Sequence, residues 1–139
     1  MEDLFPRKEG LDYSKLQTTD EGSYSITRRR DAERILHVLR NNFPNMSTMT
    51  ITDATAYIGG DTLNFASQFG HVHSIELKDD NFRALTNNVE VYGFQNVTLH
   101  HADSTKCRNL SGNCGECRCL VRSLCGYARS ARWARRRLV

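Results

Sequence analysis

An α/β fold built on a parallel sheet is predicted for this chain by three observations. Short apolar runs at 49–51, 72–75 and 96–100 alternate with helix-length amphipathic segments, the order that gives strand–helix–strand crossovers. An acid closes or follows each run: Asp53, Glu76 and Asp103. A glycine pair, Gly59-Gly60, separates the first run from the next helix. Right-handed crossovers bring the carboxyl ends of such strands to one edge, where the ligands of open α/β sheets gather. The predicted class is a Rossmann-like, doubly wound parallel sheet whose pattern breaks off after the third strand.

Each element follows from local chemistry. Residues 1–22 are polar and charged, with Pro6 and Gly10 as breakers, and are expected to form an N-terminal arm or loop. Ser23-Tyr24-Ser25-Ile26-Thr27 reads as a short extended segment. From Asp31 to Asn42, Ala32, Ile35, Leu36 and Leu39 fall on one helical face, and Asn41-Asn42 with Pro44 close the helix. The first strand, a tight loop and a helix run through the glycine pair, with Leu63, Ala66 and Phe65 or Phe69 inward and Gly70 as the stop. A second strand at 71–77 leads to a helix from about Asp79 to Tyr92. Phe82, Leu85, Val89 and Tyr92 form its buried face, Asp79-Asp80 suit its positive end, and Gly93 ends it. The third strand covers 96–100.

Composition narrows the class. At 139 residues, 39% apolar and 25% charged, the chain has the balance of one globular domain. No apolar run approaches the roughly 18 residues of a membrane span, and 1–6 lacks the order of a signal peptide, so an intracellular protein without a membrane partner is expected. The net charge of +3 conceals an asymmetry: residues 107–139 hold eight Arg and one Glu, and 1–106 carry 11 basic and 15 acidic groups. All five cysteines also lie in 107–139. The chain therefore divides into an arm (1–22), a nucleotide-binding region (23–106) and a Cys/Arg-rich tail (107–139), read as an aberrant, frameshifted or disordered end.

The segment from Thr52 to Thr62 carries the chemistry. Two adjacent glycines let the backbone turn sharply and leave bare main chain for a ligand, and amides at the following helix start face it. Glu76, at the end of the second strand, is placed to accept hydrogen bonds from a ribose. The spacing is wrong for a G-x-G-x-x-G dinucleotide loop, and no G-K-[ST] is present to hold a triphosphate. An adenosine-containing ligand with no pyrophosphate remains, and S-adenosylmethionine fits that description.

The segment Asp53-Ala54-Thr55-Ala56-Tyr57-Ile58-Gly59-Gly60-Asp61-Thr62 resembles the first motif of class I S-adenosylmethionine-dependent methyltransferases. It is most similar to the trimethylguanosine synthases, the RNA cap guanine-N2 methyltransferases, including versions carried by large DNA viruses. Glu21 to Thr27 resembles that family's segment before the first strand, and Asn87-Asn88-Val89-Glu90-Val91-Tyr92-Gly93 its asparagine-pair motif after the second. The resemblance implies that Asp53, Gly59 and Gly60 shape the pocket for the methionine part, with Asp61 and Thr62 at the helix start. It also implies that Glu76 holds the ribose hydroxyls, Asp103 meets the adenine amine, Ala102 lines the ring, and Ser25 and Thr27 reach the cofactor carboxylate. The implied substrate is the capped 5′ end of an RNA.

The family's fourth strand ends in Pro-Pro-Trp-Gly, which holds the target amine. Here no proline follows Pro44, and the single tryptophan, Trp133, stands elsewhere. Catalysis by positioning is expected to suffer accordingly. Rival readings are another nucleic-acid methyltransferase of the adenine-N6 type, or a non-catalytic remnant that binds RNA or zinc. Cys114-x2-Cys117-x-Cys119, with Cys107 or Cys125, is a conceivable zinc set, but its spacing lacks a paired C-x2-C partner and free thiols are the expected state. His71 and His73 alternate on one strand face without metal spacing. Arg28-Arg29-Arg30 is read equally as a phosphate grip or a solvated cluster.

Overall fold

The computed structural model describes residues 2–106. Within them, β1 (Thr50–Asp53), β2 (His71–Glu76) and β3 (Val97–His101) form a parallel sheet in that order. Thr50 lies opposite His71 and Val72 opposite Val97, so the register brings Asp53, Glu76 and His101 toward one edge. Four helices accompany the sheet: α1 (Asp20–Ser25), α2 (Arg29–Asn42), α3 (Gly60–Ala66) and α4 (Asp79–Tyr92). This is the Rossmann-like α/β order expected, and among the described residues the sheet ends at its third strand. Residues 107–139, with the expected tail and its cysteine ligands, lie outside the described residues.

Strand alternation sorts the core. Ile51 and Val72 pack with Leu36 and Leu39 of α2 and with Phe65, Ala66 and Phe69 around α3. Ile58, Leu63, Leu85, Val89 and Tyr92 form a second cluster, against which Val97 and Leu99 of β3 pack. Full burial of one such leucine contributes roughly 1.5–3 kcal/mol. The buried stripe of α2 is narrower than its periodicity implies: Ala32, Leu36 and Leu39 are covered, whereas Ile35 is exposed. On the other face of the sheet, His73 Nδ1 and His100 Nε2 lie 3.1 Å apart.

The expected arm closes this core. Phe5 is fully buried and Leu16 nearly so, both within the α4 cluster. Asn88 fixes the segment through two bonds and the loop after β1 through a third: its Oδ1 accepts from Gln17 N (2.8 Å), and its Nδ2 donates to Gln17 O and to Ile58 O (2.9 Å each). Asn87 Nδ2 donates to Lys15 O (2.9 Å), and the Tyr92 hydroxyl to Pro6 O (2.6 Å). The asparagine pair and tyrosine thus clamp the N-terminal chain across α4.

Two local expectations are corrected. Ser23 to Ser25 complete α1, and the chain turns extended only at its C-cap, Ile26. Thr19 Oγ1 caps that helix by accepting from Gly22 N (2.8 Å), and Asp20 and Glu21 occupy its positive first turn, which outweighs the strand-like alternation. Gly70 does not end α3, which stops at Ala66. Instead, a Cβ at Gly70 would lie 2.4 Å from Ser47 O: the residue is small because two backbones cross there.

Candidate functional site

The loop after β1 builds the site. Gly59 takes the left-handed conformation (φ 103°) at the α3 start, and Tyr57, a non-glycine residue, also has positive φ (48°). Such geometry is costly, and it accompanies a hydrogen bond from Tyr57 N to Glu76 Oε2 at 2.8 Å. Oε1 accepts from Lys78 N at 2.9 Å. Two backbone amides therefore hold a carboxylate that is buried to 7% exposure. Each oxygen keeps one further acceptor direction. Ala56 N donates to Ile75 O and Ala102 N to Glu76 O, both at 3.0 Å, stitching the three strand ends together.

Two cavities open along this edge. One, of about 200 Å³, is bordered by Glu76, Leu77, Asn81, Ala102 and Asp103. The other, of about 110 Å³, is bordered by Ser25, Thr27, Gly60 and Asp61. Thr55 and Tyr57 border both, making one elongated cleft. The structure thus gathers seven of the ten sequence-predicted residues on the cleft. Asp53, Gly59 and Thr62 do not line it; they lie beneath its floor. Asp53 Oδ2 accepts from the Thr62 hydroxyl (2.7 Å), which also meets Ser74 Oγ (2.9 Å). These contacts support the loop from below.

The electrostatics of the cleft are uneven. Burial pushes the Asp53 carboxyl up to about 6 against the opposing Thr62 hydrogen bond, and the nearby Asp61 charge adds to the rise. Burial likewise raises Asp61, opposed by the Thr27 hydroxyl that donates to Oδ2 at 2.6 Å. Asp103 is held below the usual carboxylate range by the Thr105 hydroxyl and amide, which both bond its Oδ1. The Glu21 carboxylate, 2.6 Å from Lys78 Nζ, raises that lysine at the cleft rim.

Two buried polar atoms lack partners among the described residues: Asp61 Oδ1 and Asn81 Nδ2. Such atoms are costly unless a ligand meets them. One is an acceptor at the narrow end and the other a donor at the wide end. Together with the free acceptor directions of Glu76, they suit a molecule with a cationic tail and a hydroxylated nucleoside, and S-adenosylmethionine has both. Asn81, Tyr57, Lys78, Glu21 and Leu77 were not foreseen as site residues. Only Leu77 left a sequence signal, as an apolar side chain between the edge acid and a charged run; it is 62% exposed.

Comparison with solved structures defines the class first. The fold matches precorrin-6y C5,15-methyltransferase from Geobacter metallireducens with TM-score 0.55, 18% identity, and coverage of 67% of this chain and 46% of that one. It matches Trm5b from Pyrococcus abyssi with TM-score 0.50 and 18% identity, over 72% and 28% of the two chains. The fold is that of the class I methyltransferases, whose cofactor is S-adenosylmethionine. More particularly, residues 48–126 match the sequence model of the RNA cap guanine-N2 methyltransferases, and the chain belongs to that family. An uncharacterized protein, L320, of Acanthamoeba polyphaga mimivirus is 30% identical over 121 residues, covering 73% of this chain. The chain spans about half the length of that viral relative, 47%.

Proposed function

We propose that this chain is the cofactor-binding part of an S-adenosylmethionine-dependent RNA methyltransferase directed at the N2 amine of a cap guanosine. The observation that carries the reading is a single cleft with fixed acceptors at Glu76, at one end, and a buried, unmet acceptor at Asp61, at the other. Glu76 would hold the ribose hydroxyls, since both its oxygens are already oriented by backbone amides. Asn81 Nδ2 and the exposed Leu77 would receive the adenine, with Ala102 and Asp103 beside the ring. Asp61, Thr27 and Ser25 would receive the amino-acid end, with Gly60 leaving room for it. Asp53, Gly59 and Thr62 would shape the loop without touching the cofactor. When bound, S-adenosylmethionine supplies an electrophilic methyl group on a sulfonium. The cap-guanine preference is supported by the family match over 48–126.

The test is single-turnover transfer of labelled methyl with protein in excess, because no Pro-Pro-Trp sequence is present to position the amine. A capped RNA ending in 7-methylguanosine is expected to gain label at N2. The same RNA with an inosine cap, which lacks the amine, is expected to gain none. Label in internal adenine, or equal label in the inosine-capped RNA, would replace the cap reading with another nucleic-acid methyltransferase.

A further inference from the structure

A second concavity lies away from the cofactor cleft and shares no bordering residue with it. Its volume is about 450 Å³, against about 200 Å³ for the wider cofactor cavity. Arg7, Lys8 and Arg40 border it, over a floor that includes Leu63 and Phe94. Lys8 is held in place: its ammonium donates to Tyr92 O and sits 5.2 Å over the Phe94 ring. Arg40 Nε donates to Gln68 Oε1 at 3.2 Å, which orients the guanidinium and, among the described residues, leaves its terminal nitrogens open. Arg7 is exposed. Among the described residues one acid borders it, Glu33, which is 3.6 Å from Arg29 Nε. Three cations and one acid thus border a single concave slot.

Helix α2 connects the two sites. Thr27, just before it, borders the cofactor cleft, and Arg40, in its last turn, borders the groove. Its 14 residues span about 21 Å at the α-helical rise. Arg28, Arg30 and Arg34 are exposed at and along α2, Arg34 paired with Asp31 at 3.2 Å. A strand with its 5′ end in the cleft reaches the groove by running along α2, and spaced cations are what a phosphodiester chain recognises.

We propose that the Arg7–Lys8–Arg40 groove binds the backbone phosphates of the RNA strand a few nucleotides downstream of the reacting end, with α2 as the track between. The inference rests on the RNA-methyltransferase reading given above. The groove contributes affinity and register and touches no reacting atom.

The test uses the full chain and a capped, fluorescently labelled single-stranded RNA of about 12 nucleotides, a length that spans cleft and groove. Anisotropy is measured over a salt series, and S-adenosylhomocysteine affinity by calorimetry. Every variant keeps the arginines of 107–139, so differences report on the groove. R7A/R40A is expected to bind RNA at least tenfold more weakly, with the salt dependence reduced by about 1.4 in log–log slope, near 0.7 per lost phosphate contact. Its cofactor affinity is expected to be unchanged. R7A alone, at an exposed side chain with no side-chain bond among the described residues, guards against misfolding and is expected to lose two- to threefold. K15A, outside the groove, is expected to bind as wild type. Undiminished RNA binding by R7A/R40A, or an equal loss in K15A, overturns the groove while leaving the RNA reading standing. Displacement of the RNA by poly-glutamate at equal charge assigns the slot to an acidic protein instead and also overturns it. A wild-type chain that binds S-adenosylhomocysteine but no RNA overturns both readings.

Discussion

Replacing Asp53 by Asn tests whether the loop of the cofactor cleft rests on a buried, reluctant carboxylate. The side chain is 8% exposed, accepts from Thr62 Oγ1 at 2.7 Å and lies near Asp61. Burial raises its pKa from 3.8 to about 6. Between those values the native protein carries a proton that the unfolded chain has released, so the stability from this group is full below pH 3.8 and is lost as pH rises through about 6. A shift of that size corresponds to at most about 3 kcal/mol. Asparagine keeps the shape and an acceptor for Thr62 but does not titrate. Urea unfolding of wild type and D53N, followed by far-ultraviolet circular dichroism, gives the difference in stability at each pH. D53N is expected to gain on wild type by up to about 3 kcal/mol between pH 4 and pH 7.5. His73 and His100, held low by burial and by the His71 charge, tilt stability the opposite way, but equally in both proteins. A difference that stays constant with pH refutes the buried-acid account.

Three further outcomes follow from the same structure. Asn88→Ala removes three bonds that hold Gln17 and Ile58 O; it should cost about 2–4 kcal/mol in chemical denaturation and speed proteolysis within 1–22. Gly60→Ala sets a Cβ 2.6 Å from Ile26 Cγ1 and 2.8 Å from Thr27 O. It should lower the melting temperature by several degrees, about 2 kcal/mol or more, and weaken S-adenosylhomocysteine binding, as seen by thermal shift with and without ligand. Replacing His73 by Gln removes a group whose folded pKa lies below its ordinary value. Its stability contribution is lost as pH falls below about 6.5, so H73Q should lose less stability than wild type on acidification over that range.

Much of this fold is legible in the sequence because it is dictated locally. The α4 boundaries, Asp79 to Tyr92, follow from an acidic first turn and a left-handed Gly93. The edge position of Glu76 follows from an apolar run that ends in an acid. What periodicity cannot carry is contact across the chain. Phe5 lies in a polar segment and is buried as Tyr92 grips its neighbour Pro6 and Asn88 holds Gln17 further along the same arm, each from more than seventy residues away. Asp53 sits at a strand end like Glu76, yet it turns to Thr62 beneath the loop while Glu76 is drawn to Tyr57 and Lys78 at the cleft. The difference depends on the positive φ of Tyr57, a choice the loop makes only once its surroundings are packed. Asn81 reads as an ordinary first-turn residue until Thr19 bonds its Oδ1 at 2.6 Å and its Nδ2, in a residue that borders the cavity, is left without a partner among the described residues.

The most direct test of the central claim is titration of the folded chain with S-adenosylhomocysteine, comparing wild type with Glu76→Gln. Glutamine retains an acceptor for one of the two amides that hold Glu76, so the loop stays in place while the carboxylate that would receive the ribose is lost. The account predicts one site per wild-type chain and a tenfold or greater loss of affinity in the variant, about 1.4 kcal/mol or more. Equal affinity in the two proteins, with unchanged circular dichroism, would place the cofactor somewhere other than this cleft.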